Sequence, residues 1–332
     1  MTTEPADLEE LQHEQDLQVI DAQRDLDRQE EAGHLLRFPW EALHDVSGNI
    51  VRGDVVYVCA FSGHGKTSWM MSFLELAYQR ELSVYYLGLE TRPKVLRTEW
   101  ACRRLGIHPG DALSGKLVES LAGLEQRKAL KQELTWQLGH EASRVRFNPT
   151  PFVTVRELEV AARQAQDAGS QVMIVDHIDH ISTDGGGGGR YEDSVAVNHA
   201  LLRIAQDSDM VFLVASQLNN DAVRGNPLLL YHPPRPEMVY MGGHKRQVAS
   251  LMLGLYRPLA PDLTEEELRD ARHGRLEPRR FTKANTMGVV VMKNRRYGEK
   301  EGARCELHIE RGFVRDRTSM DDAMERIKGR GQ

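Results

Sequence analysis

The feature that most constrains this chain is the octapeptide Ala60-Phe61-Ser62-Gly63-His64-Gly65-Lys66-Thr67. It sits between an apolar run at 55–59 and a helical pattern over 68–80. A buried strand, a tight loop and a helix in that order form the layout of a phosphate-binding loop. Gly63 and Gly65 let backbone N–H groups turn inward with no Cβ in the way. The free N–H groups and dipole at the start of the following helix favour bound anions. Lys66 can reach the outer phosphates of a nucleotide, and the Thr67 hydroxyl suits Mg²⁺. Ser62, His64 and Ser68 complete the predicted cradle, and Ala60 stands where the generic pattern has its first glycine. A glycine-rich turn that binds nothing would leave the adjacent Gly-Lys-Thr without a role.

The rest of the chain fits a layered α/β domain. Apolar runs at 55–59, 84–89, 172–175, 211–215, 250–255 and 289–292 suit buried parallel strands. Helical patterns at 68–80, 94–105, 155–168 and 195–208 separate several of them, which predicts a mostly parallel central sheet flanked by helices. Residues 116–140 read as a further amphipathic helix pair. Three segments are poor candidates for regular structure: 184–190 with its run of glycines, the Pro/Asn-rich 219–238, and the polar 258–286 with a short helix after the N-cap Thr264.

Composition sets outer bounds. With 40% hydrophobic residues over 332, the chain can bury a large core, and no apolar run approaches the ~18 residues that span a bilayer. The acidic N-terminus does not resemble a signal peptide. Cys59, Cys102 and Cys305 are widely spaced and lack metal-ligand spacing, so a reduced, cytoplasmic setting is expected. Eleven acidic residues and two arginines fall in 1–32, leaving 38 acidic and 41 basic residues elsewhere. A mildly basic body is compatible with nucleic-acid binding without demonstrating it. The division expected is an acidic helical arm and linker over 1–37, a P-loop α/β domain over 38–318 and a tail over 319–332. The arm reads either as a solvated tail or as a segment that packs on a neighbouring subunit.

Other strand ends carry chemistry. Asp176 follows the apolar run at 172–175, where a P-loop fold places its second Mg²⁺ residue. Glu90 ends the strand at 84–89, a position from which a carboxylate can polarise an attacking water. Gln217, in Ser216-Gln217-Leu218-Asn219, can sense a γ-phosphate. Lys293 and Arg295 are two residues apart on the last core strand and so share a face, as suits either a γ-phosphate of a neighbouring subunit or a solvated basic edge.

Taken in chain order, the P-loop, Glu90, Asp176, the Ser-Gln-Leu-Asn run and Lys293-Asn294-Arg295 resemble the ATPase domain of the DnaB-type hexameric replicative helicases, in the RecA-like superfamily, over about residues 38–316. The resemblance implies a ring, usually a hexamer, with ATP between subunits and single-stranded DNA through its centre. By position it makes Glu90 the catalytic base, Asp176 the second metal residue, Gln217 the sensor, and Lys293 and Arg295 a finger acting in trans. It also implies two DNA-facing loops. One spans 183–192 with Arg190; the other spans 241–246 with Gly242, Gly243, Lys245 and Arg246. Replisome or loader proteins become expected partners. The chain departs from the family in carrying few residues ahead of the ATPase core, in having Asp179 where the family commonly has glutamine, and in having Asn220 where it often has arginine. His177 and His180 flank Asp179, a pattern that more often marks structural residues than metal ligands. Two other functions fit the motifs: a RecA/RadA-like recombination ATPase, or an ATP-switched DNA-binding assembly factor of a phage or mobile element that does not unwind.

Overall fold

A computed structural model of the chain describes residues 37–118, 120–139, 144–148, 153–183, 190–310 and 312–318. The expected acidic arm, the glycine run at 185–189 and the tail from 319 lie outside them.

The order of elements begins with α1 (Glu41–Ser47), β1 (Val55–Ala60), α2 (Lys66–Gln79), β2 (Val84–Gly88), α3 (Pro93–Arg104), α4 (Pro109–Leu113), α5 (Leu121–Gly139) and β3 (Val145–Phe147). It continues with β4 (Val153–Thr154), α6 (Val155–Asp167), β5 (Val172–Asp176), β6 (Ile181–Ser182), α7 (Arg190–Ser208), β7 (Val211–Gln217), α8 (Gly242–Val248) and β8 (Leu251–Tyr256). Last come α9 (Glu265–Arg272), α10 (Pro278–Phe281), β9 (Thr286–Asn294), β10 (Arg304–Glu310) and β11 (Phe313–Asp316). Nine strands form one sheet in the order β11-β10-β9-β8-β1-β7-β5-β2-β3.

The two faces of this sheet bury two cores, and the alternation along β1 shows how. Val56, Val58 and Ala60 point into a cluster with Trp69, Phe73 and Leu74 of α2. Val55, Tyr57 and Cys59 point into the opposite cluster with Leu158 of α6 and Leu201 of α7. A strand covered on both faces must be apolar throughout, which is why β1 reads as a continuous apolar run. The first core also fastens the segment ahead of β1. The Trp40 and Trp69 ring centroids lie 4.8 Å apart, and Trp40 Nε1 donates to Val314 O at 2.9 Å. The N-terminal segment therefore grips the helix that follows the P-loop.

Several expectations need correction. Val289–Met292 do lie in a buried strand, but β9 runs antiparallel to β8. β10 and β11 extend the sheet antiparallel beyond it. The expected helix pair at 116–140 is one 19-residue helix, α5, preceded by a single 3₁₀ turn at Lys116–Val118. The segment 241–246, expected as a loop, opens helix α8. The Pro/Asn-rich 219–238 forms three separate 3₁₀ turns, and α9 starts where Thr264 predicts, with a reciprocal Thr264/Glu267 capping box. Among the described residues no helix is long and apolar enough to cross a membrane.

Candidate functional site

β1 delivers the chain to the P-loop at a fixed level of the sheet: Ala60 pairs with Gln217 on one side and Leu255 on the other. The loop then turns on two glycines with positive φ, Gly63 at 76° and Gly65 at 95°. Gly65 is also the left-handed N-cap of α2, and no side chain caps that helix. Its first-turn N–H groups are therefore available to an anion. A Cβ on Gly63 would meet nothing within 4 Å, so its glycine is required by backbone conformation rather than by crowding.

Lys66 Nζ donates to Ala60 O at 3.1 Å, which folds the ammonium back over the loop. Burial lowers its pKa, and nearby Asp176 opposes that. His64 is buried between the rings of Phe61 and Tyr231. Burial, together with the charges of Arg257 and Lys66, brings its pKa down to about 4, so at neutral pH it shapes the loop without charging it. Ser62 is exposed at the mouth. Ser68 departs from the expected cradle: its hydroxyl faces α3, 3.5 Å from Arg103 Nη2.

The carboxylates come from neighbouring strands at the same end of the sheet. Gly88 of β2 pairs with Asp176 of β5, and Leu89 N donates to Asp176 O at 2.7 Å. Asp176 Oδ2 accepts from the Tyr86 hydroxyl at 2.8 Å, whereas its Oδ1 is buried without a hydrogen-bond partner. Burial raises the Asp176 pKa, and the hydroxyls of Tyr86 and Thr67 pull the other way. An unpartnered buried carboxylate oxygen beside a threonine hydroxyl is a donor set that fits hydrated Mg²⁺. Glu90 stands just beyond β2 with its side chain 61% exposed, and its Oε2 lies 3.5 Å from His177 Nε2.

A polar chain continues from there. His177 Nδ1 lies 3.5 Å from Asp179 Oδ2. That carboxylate also accepts from the Gln217 backbone N–H at 3.2 Å, and its other oxygen accepts from Lys245. Lys245 further donates to Ser216 Oγ at 2.8 Å and Tyr240 O at 3.0 Å. Asp179 titrates at about 2: burial would raise it, but the His177 and Lys245 contacts prevail. Lys245 is therefore not the surface cation expected of a DNA loop. It is 1% exposed, and all three of its protons are directed at protein acceptors. Gly242 is packed rather than open, since a Cβ there would approach Val239 Cβ to 2.9 Å. Gly243 and Arg246 do face solvent. Residues 184–189 and the side chain of Arg190 lie outside what the structure describes.

Lys293 and Arg295 lie elsewhere. Because β9 is antiparallel to β8, Asn294 pairs with Leu251, which pairs with Val56. The two cations thus sit at the end of the sheet opposite Ala60, separated by four residues of β1, or roughly 13 Å of strand. There they cap α8: Lys293 donates to Arg246 O and to Ala249 O (2.7 Å), and Arg295 to Gln247 O (2.6 Å). Burial, then the charges of Arg295 and Arg246, lower the Lys293 pKa.

Tyr86, Arg257 and the Asp179–Lys245 pair are absent from the sequence-based expectations. Tyr86 is hidden inside an apolar strand. Arg257 carries a detectable signal, a cation directly after the strand beside β1. The pair joins residues 66 positions apart, which no local pattern reveals.

A P-loop, a carboxylate ending β5 and a second carboxylate beyond β2, on one sheet flanked by helices, define a RecA-like nucleotide-binding domain. Residues 39–306 match the family model for the DnaB-like helicase C-terminal domain, and the chain belongs to that family. Two solved structures share the fold. One, the ATPase domain of another protein, has a TM-score of 0.71 and 15% identity, covering 90% of this chain and 99% of that one. The other, a DnaB-like replicative helicase described with its primase interactions, has a TM-score of 0.63 and 16% identity over 81% of this chain. This chain spans 58% of the length of that helicase. No curated protein sequence matches it.

Proposed function

We propose that this protein is an ATP-hydrolysing DNA helicase motor that works as a ring, hexameric as is usual in the family, and translocates on single-stranded DNA. Lys66 and the α2 N-terminus bind the phosphates of ATP, and Thr67 with Asp176 hold Mg²⁺, which supplies charge neutralisation at the transferring phosphoryl group. Glu90 takes the proton of the attacking water. Gln217 reports the γ-phosphate. Its own backbone N–H is tied to Asp179 and its carbonyl to Tyr240 N at 3.1 Å, so its strand end is linked to the segment that carries Gly243 and Arg246 toward DNA.

The observation that carries the reading is the split of the catalytic set across the sheet. Lys66, Asp176 and Glu90 gather at one end, while Lys293 and Arg295 lie at the other, too far along the sheet to meet a γ-phosphate on their own P-loop, so as fingers they would serve a second copy. That arrangement supports ATP sites completed at subunit interfaces. Replisome or loader proteins are the partners this reading implies. The test is strand displacement on a forked duplex with wild type and Lys66→Ala. Unwinding that needs ATP and Lys66 supports the motor. DNA binding that responds to ATP without any unwinding would replace it with an assembly switch.

A further inference from the structure

Glu90 also belongs to a second constellation, whose two other members phosphoryl transfer does not use. Glu90, His177 and His180 each offer one ligand atom, and these atoms all lie within 4.8 Å of one another. We propose that they form a binding site for a zinc-class divalent transition-metal ion, separate from the Mg²⁺ position at Thr67 and Asp176.

Three observations support it. The first is spacing. Donor atoms about 2.0–2.1 Å from a tetrahedral ion stand roughly 3.4 Å apart. His177 Nε2 and Glu90 Oε2 are already at 3.5 Å, and the His177 and His180 ring centroids are 4.4 Å apart. Glu90 and His180 are exposed, so both can close the remaining distance without disturbing the core.

The second is orientation. His177 is the fixed member, with its side chain 9% exposed. Its Nδ1 faces the Asp179 carboxylate at 3.5 Å, and that carboxylate is itself held by Lys245 and the Gln217 N–H. His177 Nδ1 makes no hydrogen bond as the chain stands, but this carboxylate is placed to take its proton when Nε2 takes an ion, the outer-shell arrangement that orients metal-bound histidines. Here the outward nitrogen is Nε2, on the Glu90 side.

The third is donor chemistry. Two imidazoles and one carboxylate select zinc, cobalt, nickel or copper over magnesium, which prefers an all-oxygen shell. Excess Mg²⁺ therefore does not compete. Three protein ligands leave a fourth position for water. A metal ion here would take the Glu90 carboxylate, so zinc blocks hydrolysis while leaving the P-loop free to bind Mg²⁺-nucleotide. That consequence rests on Glu90 being the base proposed above; the site itself does not.

The experiment is a zinc titration of the nucleotide-free full chain against a chromophoric zinc indicator, in millimolar Mg²⁺, for wild type and His180→Ala. His180 is exposed and outside the hydrolytic set, so the variant should fold and keep the zinc-free hydrolysis rate. Wild type should bind one equivalent, and His180→Ala should bind it more weakly by roughly tenfold or more, at least the effect of losing an outer-shell partner. Cobalt(II) should give the visible absorption bands of a nitrogen/oxygen site in wild type and not in the variant. Stoichiometric zinc should suppress wild-type ATP turnover, reversibly by chelator, and spare His180→Ala. Equal zinc affinity in the two proteins, or no cobalt spectrum in wild type, overturns the site. Both readouts are independent of whether the chain hydrolyses ATP, which Lys66→Ala tests separately without zinc.

Discussion

The two ends of the central sheet are built on opposite terms. At the P-loop end, polar groups are left open: Asp176 Oδ1 has no partner, Glu90 reaches into solvent and the α2 N-terminus is uncapped. At the far end they are saturated. Asn294 Nδ2 donates to Ser47 O at 2.7 Å, while its Oδ1 accepts from the backbone N–H groups of Arg296 and Tyr297. Arg296 pairs with Asp54 at 3.1 Å, and Lys293 and Arg295 cap α8. Buried polar groups are costly unless satisfied, so an end that leaves them open is shaped for something from outside the chain, and one that satisfies them is a clasp. The clasp does not disqualify Arg295 as a finger. A guanidinium has five donors, and Arg295 is exposed, so it can keep its carbonyl and still meet a phosphate.

Loss of function at the open end should give the largest effect. Glu90→Gln keeps the shape but cannot accept the proton, and turnover should fall by about 10²–10⁴-fold while ATP still binds. Lys66→Ala should lower turnover by on the order of 10² or more through loss of charge on the phosphates. Steady-state hydrolysis and nucleotide-binding assays read both; near-normal rates would mean that the open end is not the hydrolytic site.

The far end is tested by complementation. Arg295→Ala and Lys66→Ala subunits, each inactive alone, should regain part of the wild-type rate when co-assembled, because some interfaces then hold an intact P-loop opposite an intact finger. Absence of recovery in demonstrated mixed assemblies would make Arg295 a clasp residue and nothing more.

Between the ends runs α8, whose Lys245 meets the turn after β5 and the end of β7 at the P-loop end. Lys245→Met leaves the Asp179 carboxylate without its ammonium, and removing one partner of a buried pair costs about 3–5 kcal/mol. Denaturant unfolding should show that loss, and Asp179→Asn in the same chain should recover part of it. An unchanged midpoint would place Lys245 in water, where a DNA contact becomes open to it again. Arg246, by contrast, is exposed. Arg246→Ala should leave stability unchanged and make the salt slope of single-stranded DNA binding shallower by about 0.7, the share of one phosphate.

The last test concerns His64, whose pKa burial lowers to about 4 from an ordinary 6.5. Its folded value is the lower one, so the unfolded chain takes up the proton first. The associated stability is present above pH 6.5 and lost as pH falls toward 4, by at most about 1.4 kcal/mol per unit. His64→Asn should flatten the unfolding profile across that window.

What is readable in the sequence follows from local rules. β1, β2, β5 and β7 are buried on both faces, so continuous apolar runs mark them, and Thr264 with Glu267 marks the start of α9. The direction of β9 is not readable, because a buried strand is equally apolar whichever way it runs. β10 could have been found: Cys305, Leu307 and Ile309 alternate with Arg304, Glu306, His308 and Glu310, the period-two signature of a half-buried strand. For the site, Lys66, Thr67, Asp176 and Glu90 follow from motif and strand-end logic. Lys245 does not, because Gly-Gly-His-Lys-Arg reads as a solvated loop, and its burial depends on Asp179 and Ser216 supplied from other strands.

That buried ammonium has a mechanical consequence. Its three contacts run to the turn after β5, the end of β7 and the carbonyl of Tyr240 just ahead of α8. A hydrogen bond weakens steeply over fractions of an ångström and a few tens of degrees. α8 therefore cannot slide or tilt against the strand ends without breaking a desolvated ion pair. Lys245 acts as a rivet: the helix bearing Gly243 and Arg246 and the strand ends bearing Asp179 and Gln217 shift as one rigid body, or the joint opens.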